Sequence, residues 1–180
     1  MSAAAARTTP QFVVIADDLT GAADSAARCV QAGLPAEIWL EASAQPTAVD
    51  AVALSTDSRF LPPEEAAARV TATLARLSAW AGAMWYKKID STLRGNLGAE
   101  LDALLAALPE TVAVICPAFP AQGRGLEQGR LVYAGAEPRH LPTLLAEQSH
   151  AQIGVAALAT VRLGAEALGA ALRQRRAAGD

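Results

Sequence analysis

The sequence predicts an α/β domain of three layers: a mainly parallel sheet with helices on both faces, plus a short β-hairpin near the C-terminal end. Three observations predict it. Short apolar runs alternate with segments of helical period along the chain. The first run, Phe12 to Ala16, is apolar at every position, as a strand covered on both faces requires. At 180 residues, with 52% hydrophobic content and a mean hydropathy of +0.23, the chain is long and apolar enough to bury such a core.

Phe12 to Ala16 opens the sheet, and Asp17-Asp18-Leu19-Thr20-Gly21 leads from it into a helix ending near Gly33. Ala23, Ala26, Ala27 and Val30 mark that helix's expected inner face. Ala36 to Leu40 and Ala51 to Ser55 read as the next strands. Pro62-Pro63-Glu64-Glu65 then starts a helix, because proline and acids both suit a first turn whose amides lack partners. Its inner face is Ala66, Val70, Leu74 and Leu77. Met84 to Lys88 reads as a fourth strand, and Asn96 as the cap of a helix with Leu97, Leu101, Leu104, Leu105 and Leu108 inward. Val112 to Cys116 reads as a fifth strand, Gly129 to Tyr133 as a hairpin strand, Ile153 to Ala156 as another strand and Leu163 to Arg176 as the last helix. Residues 1–10 are expected to form a disordered tail and 11–176 the domain. The order is that of a Rossmann-like fold.

Charge and composition exclude several functions. A net charge of −3 and a pI near 5.4 give no global basic field for nucleic acid or an anionic membrane. No apolar stretch approaches the roughly 20 residues of a membrane span, and the first residues lack an apolar signal core, so a cytoplasmic location is expected. Cys29 and Cys116 fall in a predicted helix and strand, which points to two buried free thiols rather than a disulfide or a metal site. His140 and His150 read as ordinary surface residues, and no spacing suggests a metal site.

Ligands of open parallel sheets bind beyond the carboxyl ends of the strands, and four such junctions here carry unusual chemistry. They are Asp17-Asp18, Ser55 to Arg59, Lys87 to Asn96, and Pro117 to Arg124. One crevice would then hold carboxylates with Arg59, Lys88, Arg94 and Arg124. Duller readings stand beside this one. Either Asp17 or Asp18 is well placed to cap the first helix, though two adjacent acids repel and favour a neighbouring cation. Asp57 and Arg59 could form a surface ion pair of little worth. Of Lys87 and Lys88, one is expected in solvent. Arg94-Gly95-Asn96 reads as a turn and cap, or as an anion cradle at a helix N-terminus.

Together, ADDLTGAADSA (Ala16 to Ala26), STDSR (Ser55 to Arg59), KKIDSTLRGNLGAEL (Lys87 to Leu101) and CPAFPAQGR (Cys116 to Arg124) resemble the amino-terminal domain of the four-carbon acid sugar kinases. The match in order and spacing covers roughly residues 12–160. The resemblance implies an enzyme that uses ATP with Mg²⁺ to phosphorylate the terminal hydroxyl of threonate, erythronate, an oxo-tetronate or 4-hydroxy-threonate. It also implies that this domain holds the acid sugar while a separate domain, absent from this chain, holds the nucleotide. By position, Asp17, Asp18, Arg59, Lys88, Asp90, Ser91 and Arg94 are similar to the family's substrate contacts. Asp17 would orient the attacking hydroxyl. No cofactor or metal ligand is expected within these residues, and no glycine-rich phosphate loop occurs in them. The expected partners are a sugar acid and either a separate nucleotide-binding domain or a second copy, without nucleic acid or membrane. The segment Gly135 to Ser149 is shorter than in the family. Two other readings remain: a stand-alone acid-sugar sensor, and a receiver-like module that would be phosphorylated on Asp57.

Overall fold

The computed structural model describes residues 9–40, 49–80, 82–109, 111–135, 137 and 139–178. Most of the expected tail, residues 1–8, lies outside the described residues, as do positions 136 and 138 of the short 135–149 segment. The chain divides into two compact units. One runs through Asp90 and resumes at Arg94–Asn96; the other comprises Ser91–Leu93 and everything from Leu97 onward.

The first unit is the parallel sheet with its helices. It is built from β1 (Phe12–Ala16), α1 (Leu19–Gln31), β2 (Ala36–Trp39), β3 (Ala51–Ser55), α2 (Pro63–Arg76) and β4 (Met84–Lys88). The strands are all parallel, in the order β2-β3-β1-β4. The central strand β1 is buried from Val13 to Ala16, as its unbroken apolar run requires. Val14, Ala16 and Ala53 point to one side and pack on Ala22 and Ala26 of α1. The alternate residues Val13, Ile15, Val52 and Leu54 are equally buried and point to the other side. Right-handed crossovers place α2 there, because β3 to β4 runs across the sheet opposite to β1 to β2. Its buried residues are Ala66, Val70 and Leu74, the face read from the sequence.

The phase of α1 differs from expectation. Its buried face is Gly21, Ala22, Ala26 and Cys29, while Ala27 and Val30 are exposed. The N-cap at Asp18 fixes where the helix begins, and positions 22, 26 and 29 then fall on one side.

The second unit holds α3 (Leu97–Ala107), three short strands β5 (Gly125–Glu127), β6 (Arg130–Val132) and β7 (Arg139–His140), then α4 (Leu141–Gln148), α5 (Leu158–Arg162) and α6 (Ala165–Ala178). The strands form an antiparallel sheet in the order β5-β6-β7. The turn between β5 and β6 is Gln128-Gly129, both with positive φ (50° and 77°), the pairing that a two-residue hairpin favours. The hairpin read at Gly129 to Tyr133 is therefore present and gains a third strand.

Two expected strands are corrected. Val112 to Cys116 and Ile153 to Ala156 pair with no strand among the described residues. β-branched residues favour extended backbone, but only a hydrogen-bonded neighbour makes that backbone a strand. Val112 and Val114 are exposed, and so is Cys116, which leaves Cys29 as the buried thiol of the expected two. The last helix, read from Leu163 to Arg176, runs as α6 from Ala165 to Ala178, and the short α5 before it was not read from the sequence. No helix among the described residues is long and apolar enough to cross a membrane.

Candidate functional site

The sheet register puts the unusual residues of the first unit at one level. Ala16 pairs with Ser55 on one side and with Lys88 on the other. Asp17, Thr56 and Ile89 are thus the first residues past three adjacent strands. Because β1 lies between β3 and β4, the acid pair stands at the middle of the carboxyl edge.

Arg59 reaches from the loop after β3 to both acids. Its Nε and Nη2 donate to the two carboxylate oxygens of Asp17 at 2.7 and 2.8 Å, a bidentate fork, and Nη1 donates to Asp18 Oδ2. The Asp17 and Arg59 side chains are 5% and 10% exposed. The hydrogen bond to Asp17 raises the Arg59 pKa well above its ordinary value, against the opposing effect of burial. The backbone repeats the tie: Ser58 N and Arg59 N both donate to the Asp17 carbonyl, at 3.0 and 3.3 Å.

Asp18 has a second task. Its Oδ1 accepts from Gly21 N at 2.7 Å and caps α1. A side chain at position 21 would push on this cap, since a Cβ there would lie 2.8 Å from Asp18 Oδ1 and 3.1 Å from Lys88 Cγ. Glycine thus lets the first turn of α1 close on Lys88, whose ammonium donates to the Ile89 carbonyl at 2.8 Å.

The loop after β4 builds the second pair. Arg94 donates to Asp90 from Nε at 2.7 Å, from Nη2 at 3.0 Å and from its backbone N–H at 3.2 Å. Asp90 is 7% exposed, whereas the Arg94 side chain is 57% exposed, and its Nη1 takes part in none of these bonds. The hydrogen bond to Asp90 raises the Arg94 pKa. The two pairs feel each other: Asp90 attracts Arg59, and the two guanidinium groups repel. Gly95, at φ +91°, lies against Arg59, and Asn96 Nδ2 donates to the carbonyls of Ser58 and Leu61 at 3.1 and 2.8 Å. That amide ties the β3 and β4 loops together.

Six of the seven expected residues, Asp17, Asp18, Arg59, Lys88, Asp90 and Arg94, thus lie at the carboxyl edge of the first unit. Ser91 belongs to the second unit, where its hydroxyl accepts from Arg124. The duller readings sort themselves. Asp18 is the helix cap, and Arg59 pairs with the acids rather than with Asp57, whose carboxylate lies 3.8 Å from Arg69 and is 90% exposed. No group of three or more His, Cys, Asp or Glu that could hold a metal is present among the described residues. Sequence reasoning missed the buried Thr56 and Ser58, whose hydroxyls bond each other at 2.6 Å, with Thr56 also donating to the Ala16 carbonyl. Two hydroxyls alternating in STDSR were the available signal.

The profile of the sugar-binding N-terminal domain family matches residues 12–180. The chain belongs to that family. The chain has relatives among the four-carbon acid sugar kinases. It is 39% identical to a D-threonate kinase of Bordetella bronchiseptica over 76% of this chain and 39% of the relative. It is 35% identical to a D-erythronate kinase of Heliobacterium modesticaldum over 93% of this chain and 43% of the relative. A Salmonella typhimurium LT2 structure solved under a provisional tRNA synthase label matches with a TM-score of 0.85 at 32% identity. It covers 96% of this chain and 47% of the solved chain. A domain of unknown function from Bordetella bronchiseptica, a domain-swapped dimer with bound citrate, matches with a TM-score of 0.72 at 36% identity, covering 82% and 42%. The chain therefore spans less than half the length of these relatives.

Proposed function

We propose that the chain binds a four-carbon sugar acid of the threonate, erythronate or oxo-tetronate type, as the substrate half of an ATP-dependent kinase acting on the terminal hydroxyl. The observation that carries this reading is the pair of acid–arginine clusters, Asp17–Asp18–Arg59 and Asp90–Arg94, at adjacent strand ends of a domain in this family. A sugar acid presents a carboxylate and several hydroxyls, so its site needs a cation at one end and acceptors along the rest.

The geometry supports a division of roles. Arg59 is consumed by two acids, so it serves as the frame that holds them. Arg94 keeps Nη1 free of its bond to Asp90 on a half-exposed side chain, and we assign the substrate carboxylate to it. Asp17, Asp18 and Asp90 are assigned to the hydroxyls; each carboxylate oxygen of Asp17 and Asp18 holds one donor and keeps a second lone pair. Phosphoryl transfer depends mainly on positioning and on charge stabilisation, and an acid held as firmly as Asp17 suits the orienting of the attacking hydroxyl. Lys88 adds positive charge beside α1.

ATP with Mg²⁺ fits this edge poorly. The N-terminus of α1 at this edge is capped by Asp18 next to Asp17, and two carboxylates disfavour a polyphosphate. We therefore assign the nucleotide to residues of the kind that make up the rest of the longer relatives, supplied on a separate domain or by a partner. The 180-residue chain alone is expected to bind sugar acid without turning over ATP. A cytoplasmic location accords with that substrate and cofactor. A second copy is the other candidate partner, as the Bordetella structure is a dimer. Titration calorimetry tests the reading. Threonate, erythronate and oxo-tetronates should bind while neutral tetritols should not, and equal binding of acids and tetritols would refute it.

A further inference from the structure

We propose that Arg124 and Arg139 are positioning residues for the sugar-acid site, clipping the Ser91–Leu93 segment at both ends and thereby setting Asp90 and Arg94, which bracket it. The inference rests on the reading of Asp90 and Arg94 as substrate contacts.

Asp90 and Arg94 belong to the first unit, but the three residues between them belong to the second. Within that unit two arginines hold the segment. Arg124 donates from Nη1 to the Ser91 hydroxyl, and its guanidinium carbon sits 5.9 Å from the centre of the Tyr133 ring, a contact that aims the side chain. Arg139 donates from Nη1 to the Leu93 carbonyl. Both are anchored in the same three-stranded sheet. Arg124 immediately precedes β5 and bridges to Phe119, while Arg139 lies in β7 opposite the buried Leu131.

The segment needs such holding. Leu93 has φ +60°, a left-handed conformation that residues with a Cβ seldom adopt, so the surroundings must impose it. Its side chain is 1% exposed, and its carbonyl has the Arg139 bond. The bonds from Arg94 to Asp90 close this same turn, from Nε at 2.7 Å and from the backbone N–H at 3.2 Å. The backbone path through Ser91, Thr92 and Leu93 therefore decides whether the guanidinium meets the carboxylate squarely. Neither arginine is asked to touch substrate.

The test is ¹⁵N NMR of the 180-residue chain, reading the Arg94 Nε–H resonance, together with calorimetry of D-threonate and D-erythronate. The resonance is assigned by its loss in Arg94→Lys. In Arg139→Ala the Arg94 Nε–H should lose its protection from solvent exchange, and sugar-acid affinity should fall about tenfold, the scale of one net hydrogen bond. Arg139→Lys, which keeps a donor, should recover most of both. Arg124→Gln should move both readouts in the same direction, which supplies a second variant should Arg139→Ala fail to fold. An Arg94 Nε–H that stays protected in Arg139→Ala and Arg124→Gln would overturn the proposal. So would lost protection with unchanged affinity, since the clip would then be structural only. If the wild type binds neither acid, the proposed function fails, and the resonance alone still decides whether the two arginines set the Asp90–Arg94 pair.

Discussion

Arg59 grips Asp17 with both ends of its guanidinium fork, Nε to Oδ2 at 2.7 Å and Nη2 to Oδ1 at 2.8 Å, across 42 residues of sequence. Asp17 directly follows the strand β1 and Arg59 lies in the loop after its neighbour β3, so the pair joins two strand ends. Asp17 would be a buried and uncompensated charge without it. Arg59→Ala should therefore destabilise the chain by about 3–5 kcal/mol, the range found when one partner of a buried ion pair is removed. Arg59→Lys should recover little, because an ammonium cannot reproduce a planar fork. Denaturant unfolding followed by circular dichroism measures both, and a loss under about 1 kcal/mol would mean the pair behaves as an exposed one.

Arg94 is placed for a different outcome. Its side chain is more than half exposed but is the cation partner of the buried Asp90, so Arg94→Ala should cost stability, though less than Arg59→Ala because solvent reaches the pair from the arginine side. Sugar-acid binding should weaken by about 1.5–3 kcal/mol, the worth of a charge-assisted hydrogen bond. Calorimetry of the variant against the wild type reads the second effect, and thermal unfolding reads the first.

Gly21 tests the packing of the helix start. An added methyl would meet Asp18 Oδ1 at 2.8 Å and Lys88 Cγ at 3.1 Å, and the carboxylate would have to move from the amide it caps. Gly21→Ala should cost about 0.5–2 kcal/mol, the worth of a cap, even though alanine is the better helix former. A stabilised variant in denaturant unfolding would show that Asp18 moves without penalty.

The acid limb of stability should carry the mark of Asp102. Burial works to raise its pKa, but hydrogen bonds from the Ser149 hydroxyl and from the His150 backbone and ring outweigh that and hold it below the usual value. The unfolded chain then takes up this proton first as pH falls. Its contribution is full above the ordinary carboxylate range near pH 4 and is lost as pH drops through the lower folded value. The stability difference between wild type and Asp102→Asn, followed by denaturant midpoints from pH 6 to 2, should shrink below about pH 4. A difference that grows on acidification would reverse the assigned sign.

Much of the carboxyl edge was legible because strand ends are local features. An unbroken apolar run such as Phe12 to Ala16 locates a buried strand, and the charged residues after it are then at the edge by necessity. What sequence could not show was which arginine meets which acid. That depends on the order β2-β3-β1-β4, a long-range property, and it turns Arg59 from a candidate ligand group into the partner of Asp17 and Asp18. The phase of α1 was ambiguous for another reason. Ala22, Ala23, Ala26 and Ala27 give an apolar signal on too wide an arc to choose a face, and the Asp18 cap decides it. Val112 and Val114 carried a strand's local preference, but no neighbour among the described residues supplies the ladder.

The most direct measurement is a crystal structure of this chain soaked with D-threonate or D-erythronate. The account predicts the ligand at the carboxyl edge of the parallel sheet, its carboxylate on Arg94 Nη1 and its hydroxyls donating to Asp17, Asp18 or Asp90, with the Arg59–Asp17 fork intact. A ligand seated away from that edge, or one whose carboxylate avoids Arg94, would contradict it.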